Sequence, residues 1–164
     1  GWIILLLSFI GAAYLFFVMI MAVKQRGMIA WIALINLIIF IYTAVFAPHL
    51  IREYALSFEK VAMGMGFTLI SYMFVHANLL HITLNTFGLL FFGYNMEKEF
   101  GPAPTVMVYI VSGLIAGAVY ILTARPTNMV VGASGAIFGL MAYLTLTRPF
   151  KITPMPFLIP MPVS

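Results

Sequence analysis

Long apolar runs follow one another along this chain with barely a charge inside them, and that pattern fixes the solvent it folds in. A helix crossing the hydrocarbon core of a bilayer needs about 20 mostly apolar residues. The first run extends from Trp2 to Val23 and stops at Lys24-Gln25-Arg26-Gly27; the second extends from Met28 to Ala47 and stops at Pro48. A third starts near Phe67 and ends before Glu97. It is too long for one simple crossing, so its first third is expected to lie along the outer surface before the helix turns inward. The fourth runs from about Thr105 to Thr123 and the fifth from Val130 to about Thr147. The expectation is an all-α polytopic transmembrane helix bundle with five spans in this chain. Composition agrees: 7% of residues are charged and 64% hydrophobic, whereas a soluble domain carries roughly 25% charged residues.

Lys24, Arg26, Lys98, Arg148 and Lys151 fall on one side of such a bundle, and Arg52, Lys60 and Arg125 on the other. Basic loops mark the cytoplasmic side, so the His49–Lys60 loop and the head of the fifth run are expected outside. The net charge of +4 orients helices, and it is too small for a nucleic-acid groove. With no cysteine in the chain, disulfides, thiolate metal sites and a cysteine nucleophile are excluded. Trp2 to Val23 has neither a basic leader nor a cleavage signal after it, and is read as a spanning helix. The absence of a targeting segment favours a prokaryotic plasma membrane. From Pro149 onward the repeated prolines forbid a continuous helix.

Polar groups inside the apolar runs carry the chemistry, because polarity at membrane depth is functional by default. His81 and Asn85 are four apart and share one helix face, with His76 five residues earlier. Ser134 sits in Gly132-Ala133-Ser134-Gly135 at the head of the fifth run. Its helix start offers backbone N–H groups without intrahelical partners and the positive end of the helix dipole. A nucleophile beside donors aimed at an oxyanion is what acyl transfer requires. Blander roles exist. A serine among glycines and alanines commonly serves helix packing, and a histidine in a span can be structural. A channel lining is a third reading, but it predicts paired repeats, and none is seen. No carboxylate or cysteine accompanies the histidines, so neither metal nor cofactor is expected. Gly135 and Gly139, four apart, need a closely packed neighbour, and no remaining partner for them is obvious in the chain.

The segment Tyr72 to Asn85, with its HxxxxHxxxN pattern, together with Gly132-Ala133-Ser134-Gly135, resembles the rhomboid family of intramembrane serine proteases. Gly93 to Gly101 is similar to the family's segment after the histidine helix. The resemblance covers about Met28 to Ser164. It implies an extra N-terminal helix and basic loop over 1–27, and an incomplete core over 28–164. It implies Ser134 as nucleophile, His81 and Asn85 with the Ser134 N–H as oxyanion hole, and His76 as a supporting residue. Substrates would be single-span membrane proteins cut near the outer interface, and the lipid bilayer is the other partner. The family's general base is a histidine in a GxxxAHxxG-type segment, which this sequence lacks. The base is therefore expected on two further C-terminal spans, or another chain would cover the Ser134 helix, and these 164 residues alone would be inactive. Ile51-Arg52-Glu53 stands where the family often has a Trp-Arg pair. The alternative is a non-proteolytic relative that binds or chaperones membrane helices.

Overall fold

The computed structural model describes residues 27–149, 151–153 and 161–163, together with Trp2, Ile3, Ala13 and Ile20. Its elements are α1 (Met28–Val45), α2 (His49–Tyr54), α3 (Phe58–Ala62), α4 (Thr68–Ser71), a 3-10 turn (Tyr72–Phe74), α5 (Leu79–Phe100), α6 (Pro102–Thr123) and α7 (Ser134–Thr147). Two short strands, β1 (Lys151–Thr153) and β2 (Met161–Val163), pair antiparallel with Ile152 opposite Pro162.

The expected five spans are not found. Among the described residues α1 and α6 are long and apolar enough to cross a membrane, and the pair Thr68–Phe74 with Leu79–Phe100 makes a third if counted as one bent span. The physical reasons are local. The run from Trp2 to Val23 lies outside the described residues, those four positions apart. The third run does turn, as its excess length predicts, by 94° at Val75–Asn78, and it counts as a span only when both pieces are taken together. The fifth loses its first turn, because Val130 is paired through both backbone groups with Leu56 and Gly132 adopts a φ of +114°. Helix α7 begins only at Ser134 and has 14 residues, about 21 Å at 1.5 Å per residue. The hydrocarbon core is about 30 Å thick.

Chemistry at the helix ends explains where the elements start and stop. Asn78, extended at φ −159°, caps α5 by accepting the His81 N–H at 2.9 Å, an N-cap bond to the third helical residue. Gly101 closes α5 at φ +87°, where a side chain would be strained, and Pro102 opens α6 at a position whose N–H needs no partner. The start of α1 is capped from a distance: Glu97 Oε1 accepts the Ile29 N–H at 2.9 Å, and a Cβ on Gly27 would collide with the same carboxylate. A free helix N-terminus favours such a negative charge. The connection between α1 and α4 is held by Lys60, whose ammonium donates to the carbonyls of Arg52, Glu53 and Ala55 at the end of α2. Partial burial lowers the Lys60 pKa from its ordinary value; Glu53 raises it and Arg52 lowers it.

The core lies where α1, α5, α6 and α7 meet, around Ile29, Met73, Leu89, Tyr109 and Leu140. Small residues let the backbones approach. A Cβ on Gly135 would run into Ala116, and one on Gly139 into Ser112, both on α6. The small-residue face of α7 thus has its partner in α6, contrary to the expectation that none remained. Phe138, Tyr143 and Leu146 are exposed on α7 instead. At the other end of the helix Arg148 Nε donates to Glu99 Oε1 at 2.6 Å, and its guanidinium lies 5.5 Å from the centre of the Phe100 ring.

Candidate active site

The residues singled out from the sequence converge around one loop, 129–133. Two backbone anchors hold it. The Leu56–Val130 pair fixes its start, and the Gly132 N–H donates to the Tyr72 carbonyl at 2.8 Å. Between them the chain passes beneath the histidines. A Cβ on Gly132 would lie 2.5 Å from His81 Nε2 and 3.3 Å from Asn85 Nδ2. Glycine is required here twice over, for its positive φ and for the contact. His76, fully buried, reaches the next residue: its Nε2 accepts the Ala133 N–H at 3.4 Å. Its ring meets that of His81 edge-on with centroids 5.2 Å apart.

Helix register sets Ser134 beside Asn85. Ile137 packs on Gly88, where a Cβ would stand 3.1 Å from Ile137 Cγ2. Ser134 is three residues before Ile137, and Asn85 three before Gly88. Because α5 and α7 both run away from the 129–133 loop, these equal offsets put Ser134 and Asn85 at one level. Ser134 is the first residue of α7 and is half-buried. Its N–H belongs to the first turn, which has no intrahelical acceptors.

The hydrogen bonds also fix which histidine atoms are donors. His81 Nδ1 accepts the Ala77 N–H at 3.5 Å. A neutral imidazole has one donor and one acceptor nitrogen, so His81 carries its proton on Nε2, the atom turned toward Gly132. Asn85 is buried and its Nδ2 has no hydrogen-bond partner among the described residues. Such a group is rare in a folded interior and calls for a reason. Two donors therefore point at the backbone just ahead of Ser134. The Ser134 hydroxyl makes no hydrogen bond among the described residues. His76 Nδ1 is likewise buried without a partner among them.

Sequence reasoning missed the parts supplied by backbone: the Tyr72 carbonyl, the Ala77 N–H and the Leu56–Val130 bridge. Only the Asn78 cap, three residues before His81, left a readable signal. Among the described residues no group of three or more His, Asp and Glu side chains gathers as a metal site would.

Comparison with known proteins identifies the family. A family model described as the rhomboid domain matches residues 63–164. The chain is 39% identical over 87 residues to RHOMBOID-like protein 4 of Arabidopsis thaliana, covering 52% of this chain and 22% of that protein. It is 34% identical over 125 residues to Rhomboid-like protein 11, chloroplastic, of the same plant, covering 76% and 44%. A Bacillus subtilis relative is 38% identical over 81 residues, covering 49% and 40%. The matched segment spans less than half the length of each. Chloroplast and bacterial relatives stand side by side, so the similarity does not single out the expected prokaryotic plasma membrane. With its multiple apolar helices and a family match over more than half its length, this chain is an integral, multi-pass membrane protein that belongs to the rhomboid family.

Proposed function

We propose that this chain carries the nucleophile side of an intramembrane serine endopeptidase site that cleaves single-span membrane proteins near the outer interface. In this reading Ser134 Oγ attacks the scissile carbonyl carbon. The oxygen that becomes negative is met by His81 Nε2–H, Asn85 Nδ2–H and the Ser134 backbone N–H. Donors fixed in place before the reaction stabilise developing charge without reorganising. His76 is a positioning residue that holds Ala133, and so the start of α7, by accepting its N–H. The general base is a histidine on a segment C-terminal to Ser164. It takes the Ser134 proton during attack and returns it to the leaving amine.

The observation that carries this reading is the buried Asn85 Nδ2, without a partner among the described residues, beside Gly132 and level with Ser134. A packing role for Asn85 would leave that donor unexplained, because an unmade buried hydrogen bond costs about 1–3 kcal/mol. The test is cleavage of a single-span reporter by the full-length protein in liposomes. Ser134→Ala should abolish it while the helices remain folded. Persistent cleavage by Ser134→Ala would overturn the assignment.

A further inference from the structure

We propose that the bundle interior contains an ordered-water site between α1, α5 and α6, framed by Asn36, Thr86 and Tyr109. It lies apart from the Ser134 region, and nothing in the proposed chemistry uses these three residues. Asn36 and Thr86 are each 2% exposed, and Tyr109 is fully buried. Asn36 Oδ1, Thr86 Oγ1 and Tyr109 Oη all lack a hydrogen-bond partner among the described residues.

Helix register brings these atoms together. Ile29 on α1 packs on Gly93 of α5, where a Cβ would lie 2.5 Å from Ile29 Cγ2. The two helices run antiparallel, since the start of α1 is capped by Glu97 near the end of α5. Asn36 is seven residues beyond Ile29, and Thr86 seven residues before Gly93. Both steps rise about 10 Å, so the two side chains reach the same depth. The Asn36 side chain is placed as a hydrogen-bond partner of the Tyr109 hydroxyl on α6, although Asn36 Oδ1 and Tyr109 Oη form no bond of normal geometry among the described residues.

These three polar atoms, without partners of normal geometry among the described residues, match the valence of one water. It donates to Asn36 Oδ1 and accepts from the Tyr109 and Thr86 hydroxyls. Buried waters typically make about three such bonds to groups that would otherwise be unsatisfied. The surrounding lipid supplies no alternative partner, and the cluster holds no charge that would call for an ion.

Radiolytic hydroxyl labelling of the full-length protein in lipid nanodiscs, read by mass spectrometry, tests the site, because a bound water generates radicals beside it. Tyr109 should be labelled although it is fully buried, while the equally buried Met96 stays at background. The near-isosteric Thr86→Val, alone and with Asn36→Leu, should lower Tyr109 labelling toward the Met96 level. An unlabelled Tyr109 in the unaltered protein would overturn the proposal without any variant. Unchanged Tyr109 labelling in Thr86→Val, with Met96 still protected, would overturn it as well.

Discussion

His81 Nε2 sits 2.5 Å from the point where a side chain on Gly132 would begin, so the His81 imidazole and the loop ahead of Ser134 are built around the absence of a single carbon. Gly132→Ala is accordingly expected to displace His81, to strain a φ of +114°, and to slow cleavage by the full-length protein. Displacing a donor of this kind should lower turnover about 10²–10³-fold. Reporter cleavage in liposomes checks this, with circular dichroism to show that the helices persist.

Asn85→Ala separates catalysis from packing. It removes a buried donor that has no partner among the described residues, so stability should fall little or rise. Turnover should fall by about 10²–10³. Parallel measurements of thermal unfolding and reporter cleavage test the pair of effects. A large loss of stability with unchanged turnover would make Asn85 a packing residue.

Ala77 fixes the His81 tautomer through its backbone N–H. Ala77→Pro removes that N–H, and His81 Nε2 is then free to lose its proton. Because Ala77 precedes the Asn78 cap and lies outside α5, the helix itself should survive. The expected outcome is reduced turnover with retained fold. In nitrogen-15 spectra of labelled histidine, the His81 proton should move away from Nε2.

Glu97→Gln tests the cap on α1. The Ile29 N–H keeps an acceptor but loses the charge that complements the helix start. That should destabilise the protein by about 0.3–1 kcal/mol, read as a lower unfolding midpoint in mild detergent. Glu97→Ala should cost more, because it removes the acceptor as well.

Much of the site could be read from residue spacing. The four-residue interval from His81 to Asn85 survives as one helix face, and Asn78, three places before His81, proves to be the cap of that helix. The span count could not be read in the same way. Hydrophobicity alone assigns Val130 to a helix, but a backbone pairing with Leu56, 74 positions earlier in the sequence, holds it extended. The third run is different: its excess length already calls for a turn, and the 94° bend falls where the Asn78 cap restarts the helix. The neighbour of Gly135 and Gly139 was hidden for a related reason. Small residues announce close packing without saying against what, and Ala116 and Ser112 on α6 proved to be the answer.

The most direct test of the Ser134 assignment is labelling by a fluorophosphonate probe of the full-length protein in lipid, with the modified residue located by mass spectrometry. The account predicts a covalent adduct on Ser134 Oγ, absent in Ser134→Ala and strongly reduced in Asn85→Ala. An adduct on another serine, or no adduct on Ser134 in protein that still cleaves the reporter, would contradict it.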